Sequence, residues 1–224
     1  MLEGIRENGI RTIYTQLAEI KIKRKCFLKG WAKINFTYQA TTLEGLSVII
    51  PKVYEDNRGF FMETWQKETF EQLGIVCNYV QDNHSKSKKG VLRGIHFQEK
   101  HLQAKLVRCI SGKILDVAVD LREGSKTFGQ SFNLILSEEN KKLLFIPEGF
   151  GHGFLALEDD SQLLYKTNAY YCPEYDSGIV FNDTDLDVDW QTEKFGIDEI
   201  ILSEKDKKLQ TFSEWLKKRN GRGL

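Results

Sequence analysis

The feature that most constrains the fold is a series of short apolar runs, closely spaced and separated by glycine, proline or charged residues, that begins near Leu46. Clear examples occupy residues 47–50, 105–110, 114–120 and 143–146. Runs of this length are typical of β-strands, and many of them at close spacing indicate a sandwich or a barrel. Long helical segments do not alternate with them, so a parallel α/β sheet is not expected.

Helical patterns are few and short. In residues 67–73, Phe70 and Leu73 share a face, and near the C-terminus Ser213 is placed to cap a helix over residues 214–218. The chain carries no GxGxxG and no GxxxxGKS/T run, so neither a dinucleotide site nor a P-loop is predicted.

Length and charge fit a compact protein without a charged macromolecular partner. With 224 residues, 41% of them hydrophobic, the chain can bury one sizeable core. Lysine plus arginine number 32, as do aspartate plus glutamate, so no long-range attraction to nucleic acid is expected. The chain lacks an 18-residue apolar run and a secretory hydrophobic region, so no membrane partner is expected. Scattered cysteines without a CxxC pair favour reduced thiols and a cytoplasmic location: Cys26, Cys77, Cys109 and Cys172.

The chain divides near residue 45. Residues 1–44 combine a helix-like stretch at 13–22 with a basic run at 21–25, and we interpret them as an N-terminal appendage to a domain spanning 45–224. Three interpretations of the appendage stay open: a solvated or poorly ordered leader, a basic arm for a membrane surface or nucleic acid, and upstream sequence that is not native.

Two stretches resemble the signatures of the cupin jelly-roll fold. In the first, five residues separate Gly90 from His96; the second is PEGFGH at 147–152, which ends in His152. Metal-binding cupins carry His-x-His in the first stretch, because a divalent ion needs three or four converging donors. Here Gln98 takes the second histidine position, and an amide is a poor ligand for zinc or iron. We therefore expect no metal and no cofactor, and a histidine left free to move protons.

A lone strand histidine is commonly a hydrogen-bonded core residue, and that alternative stands beside the catalytic one for His96. On a regular strand Arg93 and His96 point to opposite faces, so they converge only if Gly94 marks a bulge or twist. His84 and His101 have no comparable context and are interpreted as surface or structural residues.

From about Leu46 to Phe212 the chain resembles the dTDP-4-dehydrorhamnose 3,5-epimerase family, whose members are cofactor-independent cupins. The resemblance rests on several blocks in the same order: DNRGFFME at 56–63, residues 81–98, QAKLVRC at 103–109, IPEGFGHGF at 146–154, LYKT at 164–167 and LSEKD at 202–206. It implies a mainly β, cupin-type antiparallel jelly-roll barrel, with a few short helices mostly near the C-terminus.

The resemblance also implies a mechanism. The family substrate is a thymidine-diphosphate sugar with a ketone at carbon 4, so the hydrogens on carbons 3 and 5 can leave to form an enolate. Inversion requires a base on one side, an acid on the other, and a cation near the ketone oxygen. By resemblance His96 is the base, Tyr165 the acid and Lys105 the cation. Asp206 is the carboxylate that orients the base, although from its residues alone it could be a turn aspartate after Ser203.

Further positions match the family's substrate contacts. Arg58 and Arg93 suit a diphosphate or sugar, because a guanidinium binds such groups with two hydrogen bonds. The other predicted contacts are Glu63, Gln81, Asn83, His152, Asp176 and Lys205, with Phe61 and Tyr170 as possible stacking partners of the thymine. Asp176 departs from the family's usual glutamate and is one methylene shorter, so its contact is expected to be weaker or to need water.

Other functions remain open at this point. A relative that acts at one carbon only, or a ketoisomerase on a similar nucleotide sugar, would keep the same residues. A non-catalytic nucleotide-sugar-binding cupin would tolerate the loss of His96 or Tyr165, and a metal-dependent oxygenase is disfavoured by Gln98.

The resemblance also implies an assembly. Family members usually begin close to the strand at 46–50 and are homodimers that exchange N-terminal strands and complete each other's sites.

Overall fold

The computed structural model describes residues 35–221, and these residues divide into two units. The first comprises residues 35–39 and 51–77, and the second comprises residues 40–50 and 78–221. The predicted helix at 13–22 and the basic run at 21–25 lie outside the described residues.

The described residues contain short strands and two α-helices. In chain order they are β1 (Phe36–Ala40), β2 (Ser47–Pro51), β3 (Val53–Asp56), β4 (Gly59–Met62), α1 (Lys67–Gln72), β5 (Gln81–Ser87), β6 (Leu92–Gln98), β7 (Lys105–Ser111), β8 (Lys113–Asp120), β9 (Ser131–Ser137), β10 (Leu143–Ile146), β11 (Phe150–Ala156), β12 (Ser161–Thr167), β13 (Asp176–Gly178) and α2 (Phe212–Gly221). The predicted strands at 47–50, 105–110, 114–120 and 143–146 are confirmed as β2, β7, β8 and β10.

In the first unit, β3 and β4 form an antiparallel hairpin, with Val53 opposite Met62. Helix α1 confirms the pattern at 67–73 and begins after Gln66, whose side chain accepts a hydrogen bond from the Thr69 amide at 2.8 Å. Phe70 is buried and packs edge-on against Phe36, with ring centroids 5.1 Å apart. This aromatic pair explains why so short a helix is stable, since packing rather than propensity stabilises short helices.

The second unit contains two antiparallel sheets. One has the strand order β2-β10-β7-β12-β5, and the other has the order β13-β6-β11-β8-β9. The predicted jelly-roll architecture, mainly antiparallel β with few short helices, is confirmed.

Strand β8 shows how the core is divided. Ile114 and Ala118 belong to the cluster between the two sheets, whereas Leu115, Val117 and Val119 belong to a cluster that includes residues of the C-terminal segment, among them Trp190, Phe212 and Trp215. Because β8 is buried on both faces, its sequence is almost continuously apolar instead of alternating. Each buried Leu, Ile or Val side chain contributes about 1.5–3 kcal/mol.

Helix α2 begins two residues earlier than expected, so the prediction that Ser213 is its cap was wrong. The hydroxyl of Thr211 accepts a hydrogen bond from the Glu214 amide at 3.2 Å, and the Glu214 carboxylate accepts one from the Thr211 amide at 2.9 Å. This reciprocal capping box fixes the start of the helix and lets Phe212 enter the core.

Part of the proposed appendage is structured. Strand β1 lies within residues 1–44, and Leu43 is only 1% exposed within the cluster between the two sheets. The boundary near residue 45 stays a prediction. Within residues 35–221, none of the helices combines the length and apolar character that a membrane span requires.

Candidate active site

The candidate site is a cavity of about 530 Å³ inside the second unit. Four of its residues come from the two facing sheets: His96 and His152 from β6 and β11, and Lys105 and Tyr165 from β7 and β12. The structure therefore places the predicted base and the predicted acid on opposite walls. Arg93, Ser85, Lys205 and Asp206 also line the cavity.

His96 is held against Asp206. Its Nε2 lies 2.7 Å from Oδ1 of Asp206, and the carboxylate is only 5% exposed. Burial acts to raise the pKa of Asp206, but the contact with His96 and its charge outweigh burial, so this pKa lies below its usual value. The Asp206 amide also donates to the hydroxyl of Ser203 at 3.1 Å. The turn geometry suggested by Ser203 thus coexists with the contact to His96.

The predicted bulge at Gly94 is confirmed. On β11 His152 pairs with His96 and Phe154 with Arg93, so three steps along β6 match two steps along β11. A Cβ at Gly94 would lie 2.5 Å from Cα of Gly153, which only glycine avoids. The extra residue brings Arg93 and His96 to the same cavity.

His152 forms a second, deeper pair with Asp116. Its Nε2 lies 3.0 Å from Oδ2 of Asp116, and the carboxylate is fully buried. Burial lowers the pKa of His152, with Lys105 and His96 adding to the effect and Asp116 opposing it. His152 is therefore neutral near pH 7.

Two residues of the site were missed in the sequence: Asp116, the buried partner of His152, and Ser85, which lines the cavity. Asp116 had a detectable signal, because a lone carboxylate in the apolar run at 114–120 needs a buried partner. Ser85 shares a face of β5 with Gln81 and Asn83, and its buried hydroxyl has no hydrogen-bond partner among the described residues. A buried hydroxyl that lines a cavity and lacks a partner is a natural contact for a bound polar ligand.

Lys105 supplies a buried cation. Its side chain lies over the ring of Tyr165, with Nζ 5.9 Å from the ring centroid, and makes no salt bridge within the described part of the chain. Burial lowers the pKa of Lys105 to about 8, against the attraction of Asp116 and Asp176. A buried ammonium group that is not held in a salt bridge is suited to stabilise negative charge on a ligand.

The environment of Tyr165 shifts the pKa of its phenol upward. Burial raises this pKa; the charge of Arg93 opposes burial, and that of Asp176 adds to it. Tyr165 is consequently protonated at neutral pH, which is the state that a proton donor requires. Its ring also meets that of His152 at 6.4 Å.

The remaining predicted contacts in the second unit lie near the cavity without lining it. The carboxylate of Asp176 pairs with the ammonium of Lys205 and accepts a hydrogen bond from the hydroxyl of Tyr171 at 2.8 Å. Gln81 donates to Asn83 at 2.8 Å and accepts from the Tyr171 amide at 3.0 Å. Tyr170 is 69% exposed.

Three predicted contacts belong to the first unit. Arg58 pairs with Asp56 at 2.5 Å in the turn of the β3–β4 hairpin, Glu63 accepts a hydrogen bond from Asn35 at 3.1 Å, and Phe61 is 67% exposed.

The two histidines interpreted as surface or structural residues are both exposed. His84 pairs with Gln162 at 2.9 Å, and His101 is exposed as well.

The Gln98 side chain, at the position of a histidine ligand in metal-binding cupins, is occupied by other partners. The Gln98 amide is bound to backbone groups of residues 101, 170 and 172, and within residues 35–221 no group of three histidine, cysteine or acidic side chains could hold an ion.

These features define a class of protein: a jelly-roll barrel that holds a histidine with its carboxylate and a protonated tyrosine on opposite walls, beside a buried ammonium. Residues 40–214 match the family model described as dTDP-4-dehydrorhamnose 3,5-epimerase. The chain belongs to this family of enzymes.

Relatives span nearly the same region. A protein from Methanothermobacter thermautotrophicus named dTDP-4-dehydrorhamnose 3,5-epimerase is 49% identical over 180 residues, covering 80% of this chain and 96% of the relative. The structure of dTDP-6-deoxy-D-glucose-3,5-epimerase from Legionella pneumophila in complex with dTDP-4-keto-L-rhamnose is 44% identical, with a TM-score of 0.75 over 79% of this chain and 92% of that one. A 3′-monoepimerase from Streptomyces bikiniensis in complex with dTDP-quinovose is 30% identical, with a TM-score of 0.70 over 82% and 98%.

Proposed function

We propose that this chain converts dTDP-4-dehydro-6-deoxy-D-glucose to dTDP-4-dehydro-L-rhamnose by inverting carbons 3 and 5, a step of dTDP-L-rhamnose biosynthesis. The observation that carries the proposal is the placement of His96 and Tyr165 on opposite walls of one cavity, with Lys105 on the same wall as Tyr165. Inversion removes a proton from one face of a carbon and returns one to the other, so it needs groups on both sides.

In this mechanism His96 takes the proton next to the ketone. The developing imidazolium lies beside the Asp206 carboxylate, which stays ionised because its pKa is low. The negative charge of the enolate accumulates on the ketone oxygen, where the ammonium of Lys105 stabilises it. Tyr165, protonated at neutral pH, then delivers a proton from the opposite face.

Arg93 and Lys205, both at the cavity wall, suit the diphosphate. With Nε2 of His152 engaged by Asp116, the neutral imidazole offers Nδ1 as an acceptor for a sugar hydroxyl. Gln81, Asn83, Asp176 and Tyr170 would contact the nucleotide from the edge of the second unit.

We also propose a homodimer in which the first unit of one copy completes the site of its partner. Phe60 and Phe61 on the β3–β4 hairpin are 57% and 67% exposed, which supports an additional binding surface that would bring Phe61, Arg58 and Glu63 to bound nucleotide. A monomeric mass in analytical ultracentrifugation would contradict this. The free thiols Cys109 and Cys172 support a cytoplasmic location, which cell fractionation tests.

The proposed function is tested by following the substrate in deuterated water. We expect deuterium at both carbon 3 and carbon 5, accompanied by the L-configured product. A second candidate, epimerisation at one carbon, is favoured by the fold shared with the monoepimerase from Streptomyces bikiniensis and predicts deuterium at one position. Binding of the nucleotide sugar without exchange at either carbon would identify the non-catalytic alternative.

A pH dependence follows from Lys105. Its pKa of about 8 means that the free enzyme carries the ammonium at pH 7 and largely loses it by pH 9. We expect kcat/KM to fall above pH 8, by about tenfold for each further pH unit. The Lys105→Arg variant keeps its charge throughout, so its lower kcat/KM should show no such fall below pH 9. If kcat/KM fell in the same way above pH 8 in both enzymes, the fall would be due to the titration of a group other than Lys105.

A further inference from the structure

The connection between β12 and β13, residues 168–176, is bound along its backbone by glutamine side chains, and we call it the strap. Gln81 accepts a hydrogen bond from the Tyr171 amide at 3.0 Å, and Gln103 donates to the carbonyl of Ala169 at 3.0 Å. Apart from a single 3₁₀ turn at Pro173–Tyr175 and the first residue of β13, the strap lacks regular secondary structure. Backbone partners are available to residues 168, 172 and 175, whereas the backbone groups of residues 169, 170 and 171 bind side chains.

Gln98 makes the largest share of these bonds. It is 4% exposed, its Nε2 donates to the carbonyls of His101 at 2.7 Å and Tyr170 at 3.4 Å, and its Oε1 accepts from the amide of Cys172 at 2.6 Å. Both ends of the amide are thus used, and one side chain joins the end of β6 to two points of the strap. Buried hydrogen bonds of this kind are costly to break, because each leaves a desolvated group without a partner.

The strap continues into a chain of contacts that reaches the cavity. Asp176 pairs with Gln98 in the β13–β6 register, and its carboxylate binds both the Tyr171 hydroxyl and the Lys205 ammonium. Lys205 lines the cavity and immediately precedes Asp206, the partner of His96. A displaced strap would therefore move Asp176 and release Lys205.

We propose that Gln98 is a positioning residue for nucleotide binding: its amide fixes the strap, and through Asp176 the strap holds Lys205 toward the diphosphate. This inference rests on the proposed function and adds a determinant of affinity. Within the described residues, Tyr165 and Lys105 lie on β12 and β7, whose ladders do not include the strap. On β6 the strap pairs only at Gln98, through Asp176, whereas His96 pairs with Gly178, which lies beyond the strap. Loss of the hydrogen bonds from Gln98 to the strap, which we call the clamp, should thus weaken nucleotide binding and leave the rate of the chemical step unchanged.

The test compares the wild type with Gln98→Met, which has a similar length and no hydrogen-bonding amide. We expect KM for the dTDP-sugar, and the Kd for dTDP alone by calorimetry, to rise about tenfold while kcat changes less than about threefold. Hydrogen exchange at the Cys172 amide should accelerate. In Gln98→Glu the acceptor for Cys172 remains, so its amide stays protected while KM still rises, because the donors to residues 101 and 170 are lost.

The matched control is Gln162→Met, since the Gln162 side chain pairs with His84 outside the cavity, and KM and Kd should not change. A merely structural role for Gln98 would lower the folded fraction, and hence kcat, without changing KM or Kd, and that result overturns the inference. If Gln98→Met does not fold, Gln98→Glu takes its place: a raised KM and Kd support the inference, and unchanged values overturn it.

Failure of the proposed function gives a different result. A wild type that binds dTDP but exchanges no deuterium refutes the epimerase reaction, and the ratio of Kd values still decides for or against the clamp. A wild type with normal exchange and unchanged Kd in both Gln98 variants refutes the clamp alone. A wild type that binds no dTDP refutes both.

Discussion

Replacing His96 with alanine is expected to lower the epimerisation rate by about 10²–10⁴-fold and to remove deuterium exchange at both carbons, because it removes the proposed base. His152 is a poor substitute for it, since burial lowers the pKa of its imidazole and so makes it a weaker base. The measurement is deuterium incorporation by NMR, with carbons 3 and 5 read separately.

The matched control for this variant is His84→Ala, which removes an exposed histidine from the neighbouring part of the chain. It should keep wild-type exchange at both carbons. Exchange at the wild-type rate in His96→Ala would refute the assignment of the base. Exchange lost at only one carbon would mean that a second group serves the other carbon.

The Tyr165→Phe variant is expected to separate exchange from inversion. His96 can still remove a proton and return one from solvent to the same face, so deuterium should enter the substrate. Completed inversion should fall by about 10²–10⁴-fold, since the opposite wall has lost its proton donor. The readout compares deuterium in recovered substrate with the amount of L-configured product.

The control here is Tyr175→Phe, whose ring lies against Lys100, 5.2 Å from the ammonium, and does not line the cavity. Normal exchange and normal inversion are expected. If Tyr165→Phe inverted either carbon at the wild-type rate, the acid at that carbon would be a different group. If exchange were lost together with inversion, Tyr165 would be needed for proton removal as well.

The strands were predictable because their signal is local. The runs at 114–120 and 143–146 are short, apolar and bounded by breaks, and they correspond to β8 and β10. The start of α2 was misjudged because Thr211 and Glu214 cap it reciprocally, and the choice between Thr211 and Ser213 depends on burying Phe212. Local pattern does not state which aromatic residue enters the core.

Among the site residues, those in signature stretches could be found from the sequence. The buried partners of these residues were harder to find. His96 and Gln98 stood out by spacing, and Gly94 predicted the bulge. Asp116 was overlooked because an acid in an apolar strand has no visible partner until β11 brings His152 beside it. The raised pKa of Tyr165 likewise depends on burial, which the sequence does not specify.

The sequence by itself determined the succession of strands, the replacement of a metal-ligand position by Gln98, and the family, because these properties reside in residue types and their order. Only the tertiary structure decided which groups face each other: His96 with Asp206, His152 with Asp116, and Tyr165 across the cavity from His96. It also decided that Gln98 clamps the strap. The physical reason is that distance, burial and charge between residues remote in the chain arise only when the two sheets pack together.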